Sequence, residues 1–224
     1  MPDDARTMRF FRDRLPHWLV AEHPYFVTIC RKGCLPASVV SNLSLARDEI
    51  ASAVALRKAS PSSASWFNNF NKIDVILNSA AHGPRDLTTP MIAQKLFESF
   101  DWLRDQGWRI WAGCIMPSHL HLVMRNTKGR NDLLTNDLGL FKNYTGRAAN
   151  RIRGVEGPFW QRECFDHWCR DDKDWLGFVR YTALNPVEAR LVQTWRAWRW
   201  TVVDAELEDV LQDVSEMGTD TAFK

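Results

Sequence analysis

Two histidines one residue apart, His119-Leu120-His121, open the apolar run that ends at Met124. In a strand, residues i and i+2 point to the same face. Two imidazoles held a few ångströms apart on an apolar strand are costly unless something occupies them. A divalent metal does so naturally, because neutral imidazole is its commonest protein ligand. Packing as ordinary core histidines is the competing reading, and the triplet alone does not exclude it. The preceding turn Met116-Pro117-Ser118 favours the metal, because it fixes the pair at the start of a strand beside a hairpin bend.

A tyrosine is the next candidate. Tyr144 lies on Phe141-Lys142-Asn143-Tyr144-Thr145-Gly146-Arg147, and from 142 to 153 the chain has four bases and no acid. A phenol with a pKa of about 10 is a poor nucleophile until cations or a metal-bound phosphate draw it in. A half-buried helix tyrosine is the structural alternative. Of the three tyrosines, Tyr25 falls in a predicted strand and Tyr181 in an apolar helix, where it reads as packing. The block Gly157-Pro-Phe-Trp-Gln-Arg162 adds Trp160, Gln161 and Arg162, which could stack on bases and meet phosphates. A loop packing Phe159 and Trp160 onto the core is an equal alternative. The five cysteines have no zinc-knuckle spacing and read as small hydrophobes. Trp195, Trp198 and Trp200 read as packing.

These residues need elements to hold them. Tyr25–Cys30 is β-branched and aromatic and predicts a strand. Trp108–Met116 and His119–Met124 predict a hairpin closed at Pro117-Ser118. Thr89-Pro90 starts a helix with apolar positions at Ile92, Leu96, Phe100 and Leu103. Asn131–Arg153 and a segment from Asp171 or Asp172 to Asn185-Pro186 are two more helices, and Phe165–Cys169 is short and extended. Residues 1–24 read as an irregular arm. Residues 37–58 and 66–79 read as two helices around the loop 60–65, so 37–87 is expected to be an inserted helical hairpin.

Composition bounds the rest. The chain has 224 residues, 45% hydrophobic and 25% charged, with 12 Phe and 11 Trp. That suits one folded domain and excludes disorder throughout. No apolar run is long enough for a membrane helix, and the charged start does not resemble a secretory signal. An odd cysteine count gives no disulfide framework, so a reducing cytoplasm is expected. The net charge of +2 conceals an asymmetry. Residues 204–224 carry seven acids and one base, which leaves 28 bases against 20 acids elsewhere. One domain over 1–203 and an acidic tail over 204–224 are expected, and a basic body is compatible with nucleic acid.

Read in order, the motifs resemble a known family. Met116-Pro-Ser-His-Leu-His-Leu-Val123 is followed by Phe141-Lys-x-Tyr-Thr-x-Arg-x-x-Asn150 and Gly157-Pro-Phe-Trp-Gln-Arg162. Phe165-Asp-His167, Arg180-Tyr-x-x-x-Asn-Pro-Val-x-Ala189 and Leu191-Val192 follow. Their order and spacing are similar to single-tyrosine HUH transposases, closest to the REP-associated branch, over about residues 24–200. The resemblance implies a ferredoxin-like α+β fold, an antiparallel sheet with helices on one face. It implies His119 and His121 as ligands of Mg²⁺ or Mn²⁺ and Tyr144 as nucleophile on single-stranded DNA at the foot of a hairpin-forming repeat. A 5′-phosphotyrosine link then forms and a 3′-hydroxyl leaves. Lys142, Arg147, Arg151, Trp160 and Arg162 would meet the DNA. Relatives place a polar third ligand four residues after the tyrosine. Here that position is Ala148, which cannot ligate; Asn150, six residues after the tyrosine, faces elsewhere on an ideal helix, and Gln161 is a candidate from the next loop, so both stay open. The resemblance leaves monomer and homodimer both open. A domesticated, non-catalytic binder of hairpin DNA is the rival reading.

Overall fold

The computed structural model describes residues 7–12, 16–36, 38–39, 74–78, 82–162 and 164–211. Its centre is a five-stranded sheet of β3 (Tyr25–Cys30), β4 (Trp108–Ile115), β5 (His119–Asn126), β6 (Phe165–Trp168) and β7 (Thr201–Val203), in the order β6-β3-β5-β4-β7. Every neighbouring pair is antiparallel. β5 is therefore the middle strand, paired on both edges. All six residues of β3 are buried. That is why β3 and β5 lack a simple polar/apolar alternation: both sheet faces are covered.

Helices α1 (Pro90–Asp105) and α2 (Leu134–Arg153) cover one face. Ile92, Leu96, Phe100 and Leu103 of α1 and Leu134, Leu138 and Phe141 of α2 pack with Tyr25, Val27, Ile29, Leu120, Leu122 and Met124 of the strands. α2 approaches the loop after it so closely that a Cβ on Gly146 would sit 3.3 Å from Phe159 Cβ. That contact explains a glycine in the middle of a helix. Gly154, at φ 64°, ends α2 in the left-handed conformation.

The expected antiparallel α+β fold is present, and the third helix adds a second layer. α3 (Asp172–Glu188) crosses the opposite face, with Phe178 and Val179 against Phe26, Trp111, Ala112 and Val123. The Asp171 side chain caps α3 by accepting the Asp174 N–H at 2.7 Å. The helix runs through Pro186 instead of stopping at it. A proline there removes one intrahelical bond close to the helix end, where few remain to be lost.

Two further differences from the sequence reading concern the ends. Within the expected irregular arm, β1 (Thr7–Arg12) and β2 (Pro16–Val20) form a separate antiparallel pair. β7 was hidden from sequence reading by its three-residue length, and it pairs with β4. The first part of the acidic segment is docked: Arg109 on β4 donates to Asp204 at 3.0 Å and to Glu206 at 2.6 Å. The expected helix over 37–58, the loop 60–65 and the end of the tail lie outside the described residues, except Ser38 and Val39, which are helical. Of the expected helix 66–79, residues 74–78 are described and helical. No described helix is long and apolar enough to cross a membrane.

Gly83 makes a stability prediction. Its φ is +72°, and a Cβ there would lie 2.1 Å from the Gly33 carbonyl oxygen. Neither the backbone angle nor the contact tolerates a side chain. Gly83→Ala should therefore lower unfolding free energy by about 2–3 kcal/mol, read as a fall in the urea midpoint at unchanged m-value.

Candidate metal and tyrosine site

β5 carries His119 and His121 on the α3 face of the sheet, as the two-residue period requires. Cross-strand pairing sets them opposite Cys30 and Thr28 of β3. The rings lie 4.7 Å apart between centroids and are nearly perpendicular. Each ring is oriented through Nδ1. Thr28 Oγ1 lies 2.9 Å from His121 Nδ1, and Ser118 Oγ lies 3.1 Å from His119 Nδ1. With Nδ1–H donating to those hydroxyls, both Nε2 lone pairs are left for a ligand. His119 Nε2 has no hydrogen-bond partner among the described residues.

Burial keeps both rings neutral. It pushes the His119 pKa down to about 3, with Arg85 adding in the same direction. Burial also holds His121 well below its usual value, and His119 contributes. Neutral imidazole is the form that binds metal.

An acid completes the group. Asp74, on the short helix 74–78, lies with Oδ1 3.7 Å from His121 Nε2. One ligand atom from each of Asp74, His119 and His121 falls within 4.8 Å of the others. The Asp74 carboxyl is pushed up to about 6, chiefly by burial, while contacts with Tyr181 and Asn185 pull it back. Two nitrogens and a carboxylate suit a divalent cation of intermediate hardness. A buried trio of this kind could hold a metal ion.

The tyrosine that joins this group is Tyr181. Its ring sits 5.3 Å from the His121 ring, and its hydroxyl faces Asp74. Burial and the Asp74 charge hold its pKa well above the usual value. Asn185 follows one helical turn later, is fully buried, and faces the same carboxylate. Phe26 packs the assembly from below: it stacks on His121 at 5.3 Å and meets Tyr181 edge-on at 5.7 Å.

Tyr144 is not part of this site, and the expectation for it is corrected. α2 packs its inner stripe on the other face of the sheet, and Tyr144 is 61% exposed on the outside of that helix. The sheet stands between Tyr144 and the histidines. Tyr181 and Asn185 form one polar stripe of α3; the apolar neighbours Phe178, Val179 and Leu184 make Tyr181 read as packing in the sequence. The signal was present nonetheless. Asn185 stands four residues after Tyr181 and can ligate, whereas Ala148, at the same spacing after Tyr144, cannot. Asp74 had no sequence signal, since nothing in its surroundings marks it.

Gln161 does not join the histidines either. Its backbone N–H donates to the Cys30 carbonyl at 2.8 Å, and the residue lines a groove beside α2. That groove, of about 430 Å³, is bordered by Lys142, Arg147 and Arg162, with no acid among the described residues that line it. Trp160 is corrected as a stacking platform. It is buried, with its indole N–H donating to Thr145 Oγ1 at 2.9 Å, and it forms the groove floor. Lys142 donates to the Arg162 carbonyl, while Arg147 and Arg151 point to solvent.

Thr28→Val tests the orienting role of its hydroxyl. Removing the group that fixes the His121 ring should weaken divalent-metal binding by about tenfold or more, with little change in fold. Titration calorimetry with Mn²⁺ reads it.

No protein-family model matches the chain. Two curated relatives do. One, from Haemophilus influenzae, is named provisionally as a REP-associated tyrosine transposase and is 28% identical over 96 residues, 39% of this chain and 54% of that protein. The chain thus spans about half the length of that relative. The other, the REP-associated tyrosine transposase of Escherichia coli, is 24% identical over 120 residues, 54% of this chain and 69% of that protein. A solved structure of a REP-associated tyrosine transposase bound to a REP hairpin superposes with a TM-score of 0.54 at 16% identity. It covers 97% of this chain and 96% of its own, so the likeness in fold is not confined to one motif. By its motifs, its curated relatives and its fold, the chain is similar to the REP-associated tyrosine transposases.

Proposed function

We propose that this chain is a metal-dependent enzyme that nicks and rejoins single-stranded DNA at hairpin-forming repeats, with Tyr181 as its nucleophile. One observation carries the reading: Tyr181 and Asn185, one turn apart on α3, converge on the buried pair His119 and His121. The Tyr181 oxygen would bond to phosphorus as the bond from phosphorus to the 3′ oxygen breaks. The phenolic proton is lost and the departing 3′ oxygen gains one. The enzyme is left on the 5′ phosphate, and the 3′-hydroxyl can reverse the step without ATP. His119, His121 and an oxygen from Asp74 or Asn185 would hold Mg²⁺ or Mn²⁺, and such an ion polarises the scissile phosphate. Phe26 and Thr28 fix the His121 ring, so the site is ordered before DNA arrives.

The groove beside α2, bordered by Lys142, Arg147 and Arg162, suits a phosphate backbone. The loop that forms its wall reaches the end of β3 through the Gln161–Cys30 bond, and Cys30 pairs with His119. The groove and the histidine site therefore lie toward the same end of the sheet, on opposite faces. A hairpin held along Lys142, Arg147, Arg151 and Arg162 can send its single-stranded foot around that end. Binding should fall steeply with salt, and Arg147→Ala should reduce the slope of log K against log salt by roughly one.

The test uses a palindromic repeat oligonucleotide labelled at its 3′ end, incubated with Mn²⁺ and run on a denaturing gel. A shifted band that collapses on proteolysis is expected. Hairpin binding with no adduct on any repeat would favour the non-catalytic binder instead.

A further inference from the structure

The groups that would act on DNA are closed to it. His119, His121 and Asn185 are at most 1% exposed, and Asp74 is 8% exposed. A phosphodiester with its flanking sugars is several ångströms wide and cannot reach them without a movement.

The cover includes helix 74–78. Its inner side enters the pocket as Asp74, whose carboxylate faces His121, Tyr181 and Asn185. Asn78 Nδ2 holds the second carboxylate oxygen at 2.9 Å. Leu77 is buried among Cys30, Cys34, Leu35 and Phe165, and the Ser118 hydroxyl donates to its carbonyl. The outer side is open, with Val75 67% exposed. Among the described residues, the packing of Leu77 and Ile76 and the Ser118 hydrogen bond hold this single turn down, whereas the Asn78 bond to Asp74 lies within the helix. The sheet beneath, by contrast, is paired on every inner edge.

Asp74 is also chemically matched to what the site should receive. A carboxylate and the non-bridging oxygens of a phosphodiester are both anionic and accept hydrogen bonds without donating them. Each would take the same neighbours, so the two cannot occupy the pocket together. We propose that helix 74–78 is an autoinhibitory cover, in which Asp74 stands in for the scissile phosphate and is displaced by single-stranded DNA. This rests on the reading of Tyr181 and the histidine pair as a DNA-processing site.

A protein whose open state is a minor population binds its ligand more weakly by that fraction. Loosening the anchor should therefore strengthen DNA binding. Leu77→Ala does this without touching a polar group of the pocket. In a Tyr181→Phe background, which blocks chemistry, Leu77→Ala should tighten binding of a hairpin with a single-stranded foot by about fivefold to tenfold. Amide hydrogen exchange over 74–78 should quicken on adding DNA to the Tyr181→Phe protein, and should already be fast in Leu77→Ala. If Leu77→Ala fails to fold, Ile76→Ala trims the same apolar contact of the helix and should move both readouts the same way. Exchange over 74–78 that stays the same or slows when the hairpin is bound would overturn the cover. So would faster exchange in the loosened variant with no gain in DNA affinity. Wild-type protein that forms no covalent adduct counts against the nuclease reading alone, since exchange and affinity read the cover without cleavage.

Discussion

Tyr181→Phe should abolish the covalent DNA adduct and lower nicking by about 1,000-fold or more, whereas Tyr144→Phe should leave both within about twofold. The two tyrosines make the contrast sharp because each has a plausible sequence context and only one has the geometry. Tyr144 stands on a basic helix, but that helix lies across the sheet from the histidines and its ring points to solvent. Tyr181 is 5.3 Å from His121 between ring centroids and faces Asp74. Removing one oxygen from Tyr181 deletes the nucleophile and leaves the ring, so its packing on Phe26 and His121 persists. Hairpin affinity should stay within about threefold, because the proposed DNA groove lies elsewhere. A Tyr144→Phe protein that lost the adduct, beside a Tyr181→Phe protein that kept it, would sink the assignment.

The contrast also shows what the sequence could carry. The sheet was legible because Tyr25–Cys30, Trp108–Ile115 and His119–Asn126 are short, β-rich and punctuated by Pro117-Ser118. Helices α1 and α2 were legible from apolar residues at helical spacing, and the histidine pair from strand periodicity alone. The nucleophile was not, because face assignment is a tertiary property. Nothing in α2 or α3 states which side of the sheet it will cover, and a crossover helix can close on either. The basic residues of α2 drew attention to Tyr144, while Tyr181 was masked by apolar neighbours that pack it against Phe26. Asp74 was invisible for a related reason. It is brought to the histidines from 45 residues upstream of His119 by a segment with no motif of its own. Trp160 failed in the opposite direction: an aromatic beside basic residues suggests stacking, yet Gly146 lets the loop close and bury it.

The same burial that makes the histidines ready for a metal should make the metal-free protein sensitive to acid. In the unfolded chain an imidazole titrates near 6.5. In the folded chain His119 titrates at about 3 and His121 well below its usual value, both chiefly because burial disfavours the charged ring. Between those values the unfolded state holds protons that the folded state cannot, so stability falls as pH falls. Asp74 acts against this. Its folded pKa of about 6 exceeds the unfolded value, so between about 6 and 4 the folded state holds the extra proton and gains stability on acidification. Two histidines act against one carboxyl, so the net effect is a loss of stability on acidification between pH 6 and pH 4. Urea midpoints measured in chelator at several pH values read this directly. The double variant His119→Asn, His121→Asn removes both imidazoles and leaves Asp74, so its stability should rise as pH falls over the same interval. A wild-type midpoint that stays flat from pH 6.5 to 4, or a double variant with the same acid slope, would place the acid sensitivity elsewhere. Saturating Mn²⁺ should raise the midpoint at pH 7 by binding only the folded state. That gain should be absent from the double variant, which ties the acid-sensitive pair and the metal ligands to the same two side chains.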